Sequence, residues 1–272
     1  MMAPASPRRR RPRLLAAYLV AASLALANVG CAGWADTPDL RTASDQSEAD
    51  RLAQVRLELA SGYFSMGQAP TALDEVKRAL AIKPDSAEAL NLRGLIYGHM
   101  GQAALAEESF RRALRSAPQA ADVMHNYAWF LCQQGRWQEG DAWFGAAIDR
   151  TAPRDAARSW RARGVCLGHA RRLEMAAQAL AQADSIEPGH PVTTHHLAQT
   201  LLALGRPELA RAKLEPVLQQ AANPSETDLW LAVRLAHRVG DEQGLQRWAD
   251  LLRTRHPSSA AATRVARGLF DE

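Results

Sequence analysis

The chain has 272 residues, enough for one or two domains and a sizeable core, with 47% hydrophobic and 23% charged side chains, 17 Gly and 14 Pro. These proportions exclude collagen-like, low-complexity and wholly disordered chains. The net charge is +4, yet Arg8, Arg9, Arg10, Arg11 and Arg13 precede residue 31, where no acidic residue lies; without them 28 basic side chains face 29 acidic ones. An argument for nucleic acid from overall basicity therefore leaves with the leader. Aromatics are only 6%, and Ala, Leu, Arg, Glu and Gln, which lose least on entering a helix, abound. An all-α protein is predicted.

In chain order, residues 8–13 form a basic segment and Leu14 to Ala27 an apolar run of 14 residues, interrupted by Tyr18 and Ser23. The run is shorter than the roughly 20 residues of a membrane-spanning helix and fits a secretory signal over residues 1–30. It ends in Asn28-Val29-Gly30-Cys31-Ala32. A small residue before a cysteine resembles a bacterial lipobox, which is cut before the cysteine and acylated there, although Asn28 stands where that pattern prefers an aliphatic residue. Ordinary cleavage after Ala25-Leu26-Ala27, leaving Cys31 a spare thiol, is the alternative. Ala32, rather than Asp, after the cysteine resembles an outer-membrane sorting signal. The expectation is a lipid-anchored protein on the periplasmic face of the outer membrane, or a soluble periplasmic one if the second cut is used. Residues 31–47, polar and poor in apolar side chains, read as the lipidated cysteine and a tether.

Beyond the tether the chain repeats with a period of 34. Gly67, Gly101 and Gly135 are evenly spaced, and the same register aligns Tyr63, Tyr97 and Leu131; Ala72, Ala106 and Gly140; Val76, Phe110 and Phe144; and Ala79, Ala113 and Ala147. Two extra residues precede a fourth copy (Gly164, Leu167, Ala176, Leu180, Ala183, Pro188), followed by a fifth (Ala198, Leu201, Gly205, Ala210, Leu214) and a weaker sixth (Val233, Gly240, Ala249, Leu252, Pro257). A period in this range means a stacked array of supersecondary units. Small residues at 60, 94, 128, 164 and 198 let a first helix approach its partner closely. The recurring glycines suit a left-handed helix end, Pro84, Pro118, Pro188 and Pro257 separate units, and Asp85-Ser86-Ala87-Glu88 and Ser225-Glu226-Thr227-Asp228 look like helix caps.

These residues resemble the tetratricopeptide repeat. The resemblance implies an all-α, right-handed superhelix: about six helix-turn-helix repeats over 48–258, then a capping helix and tail over 259–272. Ser258 to Phe270 is expected to supply that cap, with Val265, Leu269 and Phe270 inward and Arg264, Arg267 and Asp271 outward.

No catalytic constellation emerges: the sequence has no phosphate-binding loop, no nucleophile elbow and no H-E-x-x-H. His190, His195 and His196 cluster, but adjacent histidines point to different sides of a helix and cannot share a metal at i, i+4 spacing. Glu107-Glu108 and Arg111-Arg112 predict two surface ion pairs. Neither cofactor, metal, nucleic acid nor small-molecule substrate is expected. Cys132 and Cys166 fall late in the first helices of consecutive repeats, so either a disulfide between them or two small buried hydrophobes is consistent with the pattern. The register places Asn91, Leu95, His125, Trp129, Arg161, Val165, His195 and Gln199 on the inner face as a partner-binding groove. Trp129 is either a groove anchor or a core residue between repeats.

The phrases at 53–67 (AQVRLELASGYFSMG), 89–97 (ALNLRGLIY), 106–113 (AEESFRRA) and 126–135 (NYAWFLCQQG) are similar to the type IV pilus biogenesis/stability lipoprotein family. That resemblance implies a non-catalytic pilotin: an outer-membrane lipoprotein that binds the type IV pilus secretin subunit and promotes its localisation and multimerisation. The alternative is a periplasmic tetratricopeptide adaptor for another cell-envelope assembly machine.

Overall fold

The structure, a computed structural model, describes residues 47–270. The leader, Cys31, the rest of the tether and Asp271 lie outside the described residues. Among the described residues are thirteen α-helices, one short 3-10 helix and no strand. Twelve helices form six antiparallel pairs, each a first helix (A) followed by a second (B). The pairs are α1 (Glu48–Ser65) with α2 (Ala69–Ile82), α3 (Ala87–His99) with α4 (Ala103–Ser116), α5 (Ala121–Gln133) with α6 (Trp137–Asp149), α7 (Ala157–His169) with α8 (Leu173–Ile186), α9 (Pro191–Ala203) with α10 (Pro207–Gln220), and α11 (Glu226–Val239) with α12 (Glu242–Arg255). A short α13 (Ala260–Ala266) closes the stack. This is the tetratricopeptide-repeat superhelix.

The pairs form because each repeat reverses direction in the same way. Gly67, Gly101, Gly135, Gly205 and Gly240 all take φ between 72° and 75°, the left-handed conformation that costs a side-chain-bearing residue. After each of the first three, the next amide returns to the helix it has left: Gln68 N–H to Tyr63 O, Gln102 N–H to Tyr97 O and Arg136 N–H to Leu131 O, each at 2.9 Å. These bonds satisfy carbonyls that would otherwise be orphaned at the helix end. The fourth repeat makes the same bond, Arg172 N–H to Leu167 O at 2.9 Å, but its left-handed residue is Arg171, φ 58°. Ser86 and Ser225 cap α3 and α11 by accepting from the amides of Ala89 and Asp228.

Packing follows the repeat register. Ala60, Ala128 and Ala198 are wholly buried, and at the same register Gly94 and Gly164 leave no room for a side chain: a Cβ would lie 2.8 Å from the Phe110 ring and 2.5 Å from Leu180 Cγ. The B helices answer with Phe110, Phe144, Leu180 and Leu214, all essentially inaccessible. Truncating one of the phenylalanines to alanine would cost about 3–5 kcal/mol. Consecutive A helices touch one another along the stack, whereas each B helix packs against its own A helix and the next, so the A helices form the inner layer.

The core is not continuous. One cluster runs from Leu57 to Leu131 and a second from Ala177 to Val265, and a small group containing Cys132, Phe144 and Cys166 lies between them. The break coincides with the extra residues: α6 and α7 are joined by residues 150–156, which include the 3-10 helix Pro153–Asp155. The cap is shorter than expected. Ser259 accepts from the Ala262 amide and Val265 is buried, but Gly268, φ 69°, ends the helix and turns Leu269 out to solvent. Phe270 does pack inward, its ring 4.9 Å from that of His237. Arg264 is exposed, as expected, with its guanidinium over the Trp230 ring at 5.9 Å.

Candidate functional site

The inner face is built from two adjacent positions of each A helix, and the structure treats them differently. At the first, Asn91, His125, Arg161 and His195 all reach the next A helix. Asn126 Nδ2 donates to Asn91 Oδ1 at 3.2 Å, His125 Nδ1 lies 2.9 Å from Ser159 Oγ, Arg161 Nε donates to Thr193 Oγ1 at 2.8 Å, and His195 Nδ1 lies 2.7 Å from Asp228 Oδ1. The cause is the close approach of neighbouring A helices, which leaves a polar side chain there no room to stay in water and offers it a partner roughly one repeat away. Arg161 also pairs with Glu187 and Arg158 with Asn126. These four residues, expected as groove contacts, are stitches between repeats.

His125 departs furthest from that expectation. It is 7% exposed and packs edge-on to Phe144, ring centroids 5.6 Å apart. Burial, together with the nearby Arg158 charge, lowers its pKa to about 4. Asp228 shows the opposite balance: burial alone would raise its carboxyl, but the hydrogen bonds from His195 and Ser225 outweigh it and hold the group below the ordinary range.

The second position, one turn further along, is the true lining. Leu95 is half-buried against the first core cluster, Trp129 half-buried against the group around Cys132 and Cys166, and Val165 half-buried, while Gln199 is exposed. Trp129 therefore presents one side to the inner surface while its other side rests on the seam between repeats three and four. Cys132 and Cys166, buried at 2% and 1%, form a disulfide across that seam with their Cα atoms 5.8 Å apart.

Charged residues knit the outer layer. Glu107 accepts from Arg111 at 2.7 Å and Arg136 at 2.8 Å, and Tyr127 donates to it at 3.0 Å. Burial would raise the Glu107 carboxyl, but the hydrogen bonds from Arg136 and Tyr127 prevail and lower it. Of the two ion pairs predicted on α4, Glu107–Arg111 is present. Arg112 instead donates to the Pro84 carbonyl at 3.2 Å, because the previous repeat's helix end offers it an unsatisfied acceptor. No group of three or more His, Cys, Asp or Glu suited to a metal occurs among the described residues.

Two surface features were missed at the sequence level. Leu52, Val55, Leu59 and Met66 of the first repeat are exposed; Leu52, Val55 and Leu59 recur at the i, i+3, i+7 spacing of one helix face, which is the legible signal. The second is a cavity of about 850 Å³ lined by α7, α9 and α11, with basic walls and a floor of small residues; its walls come from three repeats, so no local pattern announces it.

A chain of this architecture is a tetratricopeptide-repeat protein, a fold of protein-interaction scaffolds. Tetratricopeptide-repeat family models match residues 87–119 and 169–233. Among solved structures, the chain is similar to PilW, described as a widely conserved type IV pilus biogenesis factor, at 25% identity and TM-score 0.72 over 79% of this chain and 99% of that one. It shares the fold of Pseudomonas aeruginosa PilF, at 22% identity and TM-score 0.70 over 82% of this chain and all of that one. YrrB, described as a tetratricopeptide protein with an unusual peptide-binding site, shares it more distantly, at 12% identity and TM-score 0.57 over 71% of this chain and 97% of that one. No curated protein sequence matches the chain.

Proposed function

We propose that this protein is a non-catalytic scaffold in type IV pilus biogenesis: an outer-membrane lipoprotein, anchored through Cys31, that binds the pilus secretin subunit and promotes its localisation and multimerisation. The observation that carries the reading is the likeness to PilW, which spans 99% of that structure and 79% of this chain. The lipobox-like leader supports it by implying the compartment in which a secretin is assembled. An acyl anchor would hold the superhelix near a membrane-bound client and raise its effective concentration there. Trp129 and the exposed Leu52, Val55 and Leu59 supply apolar surface of the kind that anchors partner segments.

The test is the assembly state of the pilus secretin on a gel that preserves heat-resistant multimers, in cells with and without the gene and in cells carrying Trp129→Ala or Cys31→Ala. Loss of the multimer with persistence of the monomer supports the reading. Under it, Cys31→Ala leaves the membrane fraction and Trp129→Ala weakens assembly while the purified variant keeps its helical signal. A multimer unaffected by deletion rejects the reading and leaves a scaffold for another envelope machine.

A further inference from the structure

The first helix of the stack carries two apolar stripes, and only one of them is covered. Ala53, Leu57 and Ala60 of α1 are buried, and Phe64 packs against the first core cluster. On the opposite side Leu52, Val55 and Leu59 are 47%, 50% and 43% exposed, and Met66, just past the helix end, is 62% exposed. Gly62 lies between Leu59 and Met66 with nothing within 4 Å of its Cβ position. The outward stripe thus runs through Leu52, Val55, Leu59, Gly62 and Met66. These alternating steps of three and four make the narrow seam of a two-stranded coiled coil, not the wide stripe of a helix in a globular core.

In the interior of the stack, that side of an A helix is covered by the B helix of the repeat before. Val123, Tyr127 and Phe130 of α5 stand two repeats on from Val55, Leu59 and Gly62 and are buried. Tyr127 and Phe130 each meet the Phe110 ring of α4 at 5.6 Å between centroids. Among the described residues no helix precedes α1, so its outward stripe is a stacking face without a neighbour. The other end of the stack is closed by α13. A repeat array stays soluble through a polar terminal face; α1 puts leucine and valine there instead, which marks an interaction surface.

The charges beside the stripe select which helix fits it. Arg51 and Glu58 are exposed and two helical turns apart, hence on one flank, while Arg56 and Tyr63 occupy the other. Arg56 is tied to Glu75 at 2.9 Å. If a second α1 is laid along the first in the same direction, Arg51 of each copy faces Arg56 of the other and the charges repel. Laid antiparallel about a two-fold axis near Val55, Arg51 of each copy faces Glu58 of the other, and the symmetry makes the attraction twice. The face is therefore complementary to itself, in apolar content and in charge, in one orientation.

We infer that α1 pairs antiparallel with the α1 of a second copy of this chain, Leu52 and Val55 of each copy meeting across the axis, Leu59 covering the start of the facing helix, and Arg51–Glu58 pairs closing the flank. One helix from each copy makes a small interface, so association in free solution is weak. Anchoring through Cys31, as proposed above, would confine the copies to one surface and strengthen it. The dimer shields the apolar face when no client is present and leaves Trp129 open, so a client that uses α1 competes with the second copy for it.

The experiment is sedimentation equilibrium of the chain from residue 31 onward, carrying Cys31→Ser to remove the lipid and the spare thiol, from micromolar to millimolar concentration. A monomer–dimer equilibrium is expected, and Val55→Glu with Leu59→Glu should abolish it. Arg51→Glu and Glu58→Arg should each weaken it about tenfold, since each turns two attractive surface pairs into repulsive ones, and the two together should restore most of it. Helical circular dichroism checks that each variant folds. On mild oxidation Val55→Cys, beside the axis, should link two copies and Met66→Cys should not. A chain that stays monomeric at millimolar concentration overturns the inference, and so does a dimer unmoved by the paired glutamates. Linking through Met66→Cys in preference to Val55→Cys would make the pairing parallel and overturn it too. A monomer whose binding to phosphatidylethanolamine vesicles is lost with Val55→Glu and Leu59→Glu would assign the face to a membrane surface instead. The secretin multimer assay reads a different molecule, so the two proposals fail separately.

Discussion

Repeats one to three and repeats four to six share a backbone plan but differ in what fills it. The first half is cored by aromatics, with Phe110, Tyr127 and Phe130 in mutual contact at 5.6–6.4 Å between centroids and Trp143 against Tyr127. The second half is mainly aliphatic, its cluster dominated by Leu180, Leu214, Leu229, Leu235 and Leu252, with Trp248 buried in it and Trp230 and Phe270 half-buried against it. Repeat arrays are held by nearest-neighbour interfaces, and at the junction of the two cores the buried group is a small separate one of Ala128, Cys132, Phe144 and Cys166. That junction carries the inserted link, the 3-10 helix and the Cys132–Cys166 disulfide. The difference teaches that the covalent link sits where the repeat pattern is interrupted, and not within either regular half.

The sharpest way to break the comparison is to remove that link. A disulfide closing a loop of 34 residues restricts the unfolded chain by about 4 kcal/mol in the chain-entropy account. Cys132→Ala with Cys166→Ala is expected to lower unfolding stability by about that amount, and dithiothreitol should do the same to the native protein. Urea titration followed by helical circular dichroism measures the loss, and hydrogen exchange should localise it to α5, α6 and α7. Protection lost evenly along the stack would mean that the seam is no weaker than either half.

The same seam holds His125, which gives the second largest effect. Its folded-state pKa of about 4 lies below its ordinary 6.5, so between these values the unfolded chain binds the proton and the folded chain does not. The contribution to stability is therefore fully present above about pH 6.5 and is lost as pH falls towards 4, by about 3 kcal/mol in total. Urea midpoints compared between native protein and His125→Asn over pH 7 to 4 isolate this slope from those of the carboxylates. Parallel curves for the two proteins would contradict the burial argument.

Within a regular half the expected effects are smaller. Gly164→Ala places a Cβ 2.5 Å from Leu180 Cγ and 3.1 Å from the Leu180 amide nitrogen. The side chain can shift but the backbone cannot, so the variant should lose about 1–3 kcal/mol as other overpacked cores do, read as a lowered thermal midpoint. Gly62, with nothing within 4 Å of its Cβ position, should tolerate alanine without loss.

These effects trace what could be read from sequence. The small residues at 60, 94, 128, 164 and 198 and the left-handed glycines were legible because each acts within its own helix pair, at spacings of a few residues. The serine caps at 86 and 225 were legible for the same reason. The roles of Asn91, His125, Arg161 and His195 were not, since whether an inner-face polar residue is free or bonded depends on a partner 32 to 35 positions away. The basic cavity was hidden more deeply: Arg171 and Arg234 sit in different repeats, and local pattern reading assigns each to a solvated face. Leu269 was misplaced because Gly268 was read as part of a helix that it ends.

The fourth repeat also breaks the glycine rule, and this gives the smallest effect. Arg171 occupies the place held by Gly67, Gly101, Gly135 and Gly205 in its neighbours, with φ 58°, yet keeps the same return bond from the following amide to Leu167 O. A non-glycine residue in this conformation costs about 1–2 kcal/mol, while glycine relieves that strain at the expense of a freer unfolded chain. Arg171→Gly should therefore stabilise the protein by about 1 kcal/mol or less, raising the thermal midpoint by a few degrees at most. A lowered midpoint would mean that the freer unfolded chain outweighs the relieved strain.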